Sequence, residues 1–433
     1  QISKLFYERF INDEEITLFS PHEVPELYEA WGTEAFDDIY IKAERKTSIK
    51  RKKVGAQELF FDLLKERAET GRIYIMNIDH CNTHSSFKDR VYMSNLCQEI
   101  TLPTDPIQHI DGKGEIALCI LSAINVGKLN YLDELENLCD LTVRALEEII
   151  DHQKYPVVAA EVSTKARRSL GIGYIGLAHY LAKQKVSYED KAAWKEVDEL
   201  TEAFQYYLLK ASNNIAKEKG ACEYFNRTKY SDGILPIDTY KKEVDEIVNR
   251  KLSMKWEQLR KDIKEFGLRH STLSAQMPSE SSSVVSNATN GIEPPRDYLS
   301  VKKSKKGTLK QIVPDYNRLK NFYTLLWDMK GNTGYINIVA VMQKYFDQAI
   351  SGNWSYNPEH FEEGQVPISV MAQDLLTTYK LGWKTSYYQN TYDSKKDEDE
   401  PSHPLGWKDK VEETEPATLQ VPEDDEACES CTI

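Results

Sequence analysis

Apolar residues in this chain recur at helical spacing, and short strand-like runs separate the helical segments. Leu135, Leu138, Cys139, Leu146, Ile149 and Ile150 form one stripe. Trp194, Val197, Phe204, Leu208, Ala211 and Ile215 form a second, closed by Gly220 where a helix C-cap is expected. Trp256, Leu259, Ile263 and Phe266 give a third, ending at Gly267. The strand-like runs fall at residues 72–78, 115–121 and 384–389. Helices alternating with short strands predict an α/β fold with a largely parallel sheet. The 433 residues suffice for two or three average domains or one large α/β barrel, and no internal repeat is visible.

The formal charge of −14 argues against sequence-independent binding to a nucleic-acid backbone, which needs clustered Lys and Arg. The basic runs at residues 50–53 and 302–306 read as solvated surface. No apolar run approaches the ~18 residues of a membrane span, and no charged-then-apolar leader pattern stands out. Seven scattered cysteines, an odd number, suit a reducing compartment with free or redox-active thiols, so a cytoplasmic location is expected. The sequons at Asn226, Asn287 and Asn353 are then chance matches. From Asp393 the composition turns to Asp, Glu, Lys, Pro and Ser, too polar to bury a core. Residues 393–426 are therefore expected to be a flexible tether between a folded portion, 1–392, and a short tail, 427–433.

Several residue groups bear chemistry. In residues 93–100, Met-Ser-Asn-Leu-Cys-Gln-Glu-Ile, an amide, a thiol and a carboxylate fall at alternate positions. An extended segment would point Asn95, Cys97 and Glu99 to one face. The plain alternative is a buried cysteine in an edge strand, since free Cys is among the most buried residue types. Cys119, ending the run Ile116-Ala117-Leu118, reads alone as a core cysteine. Tyr387 and Tyr388 read alone as packing, in a chain with 25 tyrosines. Residues 278–283, Pro-Ser-Glu-Ser-Ser-Ser, read as a helix N-terminus, with hydroxyls capping and free N–H groups facing an anion. Cys428 and Cys431 form a CxxC pair; zinc would need a second ligand pair, and His403 is the tail's one histidine. Residues 171–176, Gly-Ile-Gly-Tyr-Ile-Gly, match GxGxxG, but the polar Thr164 to Ser169 before them is no buried strand. That motif is assigned to packing, and Cys139 and Cys222 to structure.

Taken in order, these segments resemble the large catalytic subunit of class I ribonucleotide reductases. The resemblance rests on residues 93–100, 114–119 (Gly-Glu-Ile-Ala-Leu-Cys), 277–282, 286–296 (Ser-Asn-Ala-Thr-Asn-Gly-Ile-Glu-Pro-Pro-Arg), 385–391 (Thr-Ser-Tyr-Tyr-Gln-Asn-Thr) and the terminal CxxC, spanning Gly71 onward. It implies the greater part of a ten-stranded α/β barrel, two five-stranded parallel halves running antiparallel, with the Cys97 loop threading the centre. It also implies reduction of ribonucleoside diphosphates to 2′-deoxyribonucleotides. Cys97 would be the thiyl, Glu99 the general base, Asn95 the clamp on the ribose hydroxyls, and Cys119 one of two reducing thiols. Tyr387 and Tyr388 would relay the radical. Ser279, Glu280, Ser281 and Ser282 would hold the diphosphate, and Cys428 with Cys431 would shuttle reducing equivalents.

The resemblance further implies no permanently bound cofactor or metal in this chain. The radical cofactor, a di-iron tyrosyl centre, would sit in a small subunit, and thioredoxin or glutaredoxin would reduce the tail. The partner thiol of Cys119, the ATP-cone, the ATP/dNTP effector loops and the first barrel strands would lie upstream. Cys81 is not assigned the partner role. The chain is accordingly expected to be the C-terminal piece of a split large subunit, completed by an N-terminal polypeptide, or part of an intact one. A non-catalytic scaffold that docks the small subunit is the alternative from another class; a nicotinamide-dependent dehydrogenase would rest on residues 171–176 alone.

Overall fold

The structure is a computed structural model that describes residues 1–109, 113–304 and 307–393. A ribbon of short neighbouring strands carries the centre of the molecule. Ile120–Asn125 pairs in parallel with Leu170–Ile175, Ile120 opposite Leu170 and Asn125 opposite Ile175. Ile172 then bridges in parallel to Ser274, and Gln276 in parallel to Ile350. The Tyr387 N–H donates to Gly352 O (2.8 Å), bringing the strand Thr385–Ser386 alongside. Its other side pairs antiparallel with Ile75–Met76, Thr385 opposite Met76. Parallel neighbours followed by one antiparallel junction are what two opposed parallel halves require, and the α/β expectation holds.

Helices cover the ribbon. Glu134–His152 packs against Lys191–Lys219, burying Leu135, Cys139, Val143, Leu146 and Ile150 on one side and Val197, Phe204, Leu208, Ala211 and Ile215 on the other. Leu138 and Ile149, placed in the first stripe, face outward, as does Phe266 in the third. The apolar face is narrower than the sequence pattern, because the i, i+3, i+4 positions wrap beyond the contact line. Thr333–Gln343 is different: Gly334 to Gln343 are all buried. A helix apolar on every side belongs inside a large protein, and this one delivers the chain into the equally buried segment from Lys344 to Ser351. No helix among the described residues is long and apolar enough to cross a membrane.

The strand-like runs are shorter than their sequences suggest. In residues 72–78 the strand is Ile75–Met76, and Ile78–Thr83 is already a helix. In 115–121, Glu115 closes the hairpin strand Lys113–Glu115 and the next strand starts only at Ile120. In 384–389 the run breaks at Tyr387 and Tyr388, between Thr385–Ser386 and Gln389–Thr391. Residues 170–175, by contrast, are a fully buried strand. Their glycines serve close packing, since a Cβ on Gly171 would come within 2.6 Å of Leu121 Cδ2 and 2.9 Å of Cys119 Sγ. Of the expected tether, only residue 393 is described. Cys428, Cys431 and His403 lie outside the described residues.

Candidate active site

The loop carrying Cys97 is a turn, not the extended segment that alternate spacing predicts. The Asn95 N–H donates to Ile100 O (3.2 Å), the Gln98 N–H donates to Asn95 O (3.2 Å), and Gln98 takes a φ of 72°. The Asn95 carboxamide closes the turn by accepting from the Ile100 N–H at 3.1 Å. Asn95 and Glu99 still meet, but through this turn, in which the Asn95 side chain hydrogen-bonds the Glu99 carboxyl.

The turn docks on the buried segment that follows Thr333–Gln343. Ala349 donates its N–H to Glu99 O at 3.0 Å. Ser351 Oγ lies 2.5 Å from Cys97 O and 3.2 Å from Glu99 Oε2, so one hydroxyl touches the thiol-bearing and the carboxyl-bearing residue. Glu99 is buried, and burial pushes its pKa up against the opposing hydrogen bonds from Asn95 and Ser351. A carboxylate so placed is a stronger base than an exposed one. The segment itself is fastened by Asp347. Its carboxylate accepts from Thr272 Oγ1 (2.8 Å), the N–H groups of Leu273 and Ser274 (both 2.9 Å) and Tyr230 Oη (2.8 Å).

Tyr387 Oη donates to Cys97 Sγ at 3.5 Å. The rings of Tyr387 and Tyr388 lie 4.2 Å apart between centroids. A third phenol, Tyr74, completes the group at 4.6 Å from Tyr387 and 5.2 Å from Tyr388. Burial, then the hydrogen bond to Cys97, raises the Tyr387 pKa; burial, then the hydrogen bond to Tyr388, raises that of Tyr74. Arg67 holds the backbone beneath: its guanidinium donates to Tyr387 O (2.8 Å) and Tyr388 O (3.3 Å), and it lies 4.9 Å from the Trp354 ring centroid. Burial lowers the pKa of Arg67 to about 10.

Cys119 is half-buried, just before Ile120–Asn125, and accepts from Gln348 Nε2 at 3.6 Å. Burial pushes its thiol pKa up against the Gln348 hydrogen bond, and the charge of Glu99 acts in the same sense as burial. Cys81 stands apart, fully buried with its Sγ donating to Lys384 O at 3.7 Å. Cys139 and Cys222 are buried, as expected of structural cysteines.

The helix expected after Pro278 is there, as Glu280–Val285, but no hydroxyl caps it. Ser279 Oγ is buried without a hydrogen-bond partner among the described residues, and Ser282 Oγ instead reaches Ser279 O at 3.3 Å. Ser281 and Ser282 are exposed. The first-turn N–H groups of such a helix have no partner within it. Among the described residues, no three His, Cys, Asp or Glu side chains gather as a metal cluster.

Sequence reasoning missed Tyr74, Arg67, Gln348, Ser351 and Lys384. Each is remote in sequence from the residue it touches, and no local pattern marks any of them.

A thiol on a turn, with a buried carboxyl behind it and a phenol cluster against it, is held on one α/β scaffold. Residues 1–389 match the family model for the ribonucleotide reductase barrel domain. The ribonucleoside-diphosphate reductase subunit alpha of Haemophilus influenzae is 58% identical over 403 residues, covering 92% of this chain and 53% of that protein. The ribonucleoside-diphosphate reductase 1 subunit alpha of Escherichia coli is 55% identical with the same coverage. That of Enterobacteria phage T4 is 44% identical over 91% of this chain. The chain thus belongs to the ribonucleotide reductase large-subunit barrel family. It spans about half the length of the curated relatives it matches, 53% for each of these three.

Proposed function

We propose that this chain carries the catalytic centre of a ribonucleoside-diphosphate reductase, replacing the ribose 2′-hydroxyl with hydrogen. The observation that carries the reading is the Tyr387 Oη to Cys97 Sγ hydrogen bond at 3.5 Å, with Glu99 and Asn95 on the same turn. Tyr387, once its phenol has lost a hydrogen atom to the oxidising equivalent arriving through Tyr388, takes the hydrogen atom of Cys97 and regains its O–H, and the resulting thiyl removes the ribose 3′-hydrogen. Glu99 accepts the 3′-hydroxyl proton, and Asn95 holds the hydroxyls. Cys119 supplies one of the two reducing thiols. The oxidising equivalent enters through Tyr388 from a small radical-bearing subunit, whose cofactor is not part of this chain. Ser279, Glu280, Ser281 and Ser282 receive the diphosphate at the first turn of Glu280–Val285. Cys428 and Cys431, in residues 427–433, reduce the active-site disulfide and are reduced by thioredoxin or glutaredoxin. Effector binding and the second active-site thiol belong to large-subunit residues outside this sequence, on the same polypeptide or a separate one. The working compartment is the cytoplasm.

The test is Cys97→Ser in the fully assembled enzyme, assayed for deoxyribonucleotide formation and, separately, for substrate binding. Turnover should vanish and binding survive, because only the hydrogen-abstracting sulfur is lost. Substantial turnover would sink the thiyl assignment.

A further inference from the structure

Gln348 is fully buried and fixed at each backbone polar atom. Its N–H donates to Ser274 O at 3.0 Å, and its carbonyl accepts from Gln343 Nε2 and Lys384 Nζ, both at 2.8 Å. The side-chain Nε2 donates to Leu170 O at 2.8 Å and to Cys119 Sγ at 3.6 Å. On another side the thiol meets Gly171, where an added Cβ would approach Sγ to 2.9 Å. The sulfur is thus confined by a backbone with no side chain and directed by one amide. Two carboxylates, Glu99 and Asp347, bear on it and oppose negative charge there, as does burial; the Gln348 amide works against all three.

We propose that Gln348 is a positioning residue for sulfur exchange at Cys119, its amide N–H aiming Sγ and hydrogen-bonding it while it carries negative charge. The inference rests on the reading of Cys119 as a redox thiol. When a dithiol opens a disulfide containing Cys119, one thiolate of the dithiol bonds to the other sulfur. The S–S bond breaks and its electron pair leaves on Cys119 Sγ. The second thiol of the dithiol then displaces the first-attacked sulfur, closing its own disulfide. The dithiol is oxidised, the protein pair is reduced, and the two protons of the dithiol end on the two released sulfurs. The departing Cys119 thiolate is the species the Gln348 N–H stabilises, and hydrogen bonds to charged groups are about twice as strong as neutral ones.

Peptide-resolved alkylation of the whole chain with iodoacetamide, across a pH series, reads the thiolate at each cysteine. Gln348→Met, similar in length and without a donor, should slow alkylation of Cys119 roughly tenfold or more, by the worth of a hydrogen bond to a charged group. Its pH profile should move upward while that of Cys97 stays put. Gln348→Glu should suppress Cys119 further once the new carboxyl ionises. Buried Cys139 and Cys222 report on folding. A Cys119 profile unmoved in either variant while they stay protected overturns the proposal. Loss of their protection in both variants also overturns it, since Gln348 would then be a folding residue. The underlying reading fails separately, if Cys119→Ser retains turnover in the assembled enzyme.

Discussion

Tyr387 and Cys97 lie 290 positions apart in sequence, yet the phenol of one hydrogen-bonds the sulfur of the other. Two anchors make the contact. Arg67 grips the carbonyls of Tyr387 and Tyr388 from below, and Ser351 grips Cys97 O from the side. The phenol and the thiol are therefore presented to each other by separate, buried supports.

Tyr387→Phe should abolish deoxyribonucleotide formation, a loss of several orders of magnitude, while leaving the fold within about 1 kcal/mol of the parent. Removing one hydroxyl costs a modest hydrogen bond, but phenylalanine has no O–H to pass a hydrogen atom. Tyr388→Phe should behave alike. Activity and size-exclusion measurements on the same samples separate the roles: lost assembly with the small subunit would mark an interface residue instead.

Tyr74→Phe should give an intermediate result. Tyr74 packs against the rings of Tyr387 and Tyr388 and hydrogen-bonds within the cluster, while Tyr387 is the phenol that reaches Cys97 Sγ. Turnover should fall by roughly a hydrogen bond's worth, about three- to tenfold. A complete loss equal to that of Tyr387→Phe would make Tyr74 an obligatory relay member.

The sequence made Cys97, Glu99, Asn95 and the Tyr387-Tyr388 pair visible because the short segments that bear them, taken in order, resemble those of a known family; read alone, the tyrosine pair was packing and the cysteine had a plain buried-core alternative. It misjudged how they meet. Alternate spacing suggested a strand, whereas the Asn95 carboxamide and the left-handed Gln98 make a turn. The helices were legible from their periodicity, since burial on one face leaves a 3.6-residue signature. The strands were blurred: Ile75–Met76 and Thr385–Ser386 are buried and only two residues long, too short for any alternation to be read. Lys384 was illegible for a different reason. A lysine is ordinarily exposed, and nothing local reveals that this one is enclosed by the Asp347 and Gln348 carbonyls, 2.9 and 2.8 Å from its Nζ.

That enclosure has a pH signature. Burial pushes the Lys384 pKa down to about 7 from 10.5. Between these values the unfolded chain binds a proton there that the folded chain does not. This group's contribution therefore makes stability rise with pH from about 7 to 10.5, by at most about 1.4 kcal/mol per unit. Below 7 both states are protonated, and the cost of burying the charge is fully present. Lys384→Met should flatten the slope in that window. Denaturant melts of parent and variant across it would show the difference, and equal slopes would refute the buried-lysine account.

Cys428→Ser with Cys431→Ser should leave the chemistry intact but stop recycling. Roughly one turnover is expected with thioredoxin, and repeated turnover with a small dithiol that reaches the active site directly. Unchanged multiple turnovers with thioredoxin would remove the shuttle role.

The strand Ile120–Asn125 pairs with Leu170–Ile175 on one edge, and among the described residues no strand pairs with the other. Leu121 on this strand is 42% exposed, and Cys119 lies immediately before it. An unpaired edge exposes a row of backbone donors and acceptors and is normally covered. The second reducing thiol is proposed to come from large-subunit residues outside this sequence, and an adjacent strand on this edge would carry it beside Cys119. The chain by itself, supplied with the radical-bearing small subunit, should therefore reduce no ribonucleotide. Adding a polypeptide that supplies the missing large-subunit residues should restore activity and should copurify, since strand pairing with apolar burial makes an obligate kind of interface. Cys81 is the alternative thiol, but it is fully buried against Lys384 O. Full activity from this chain and the small subunit alone, lost again in Cys81→Ser, would establish Cys81 as the partner and dispense with the added strand.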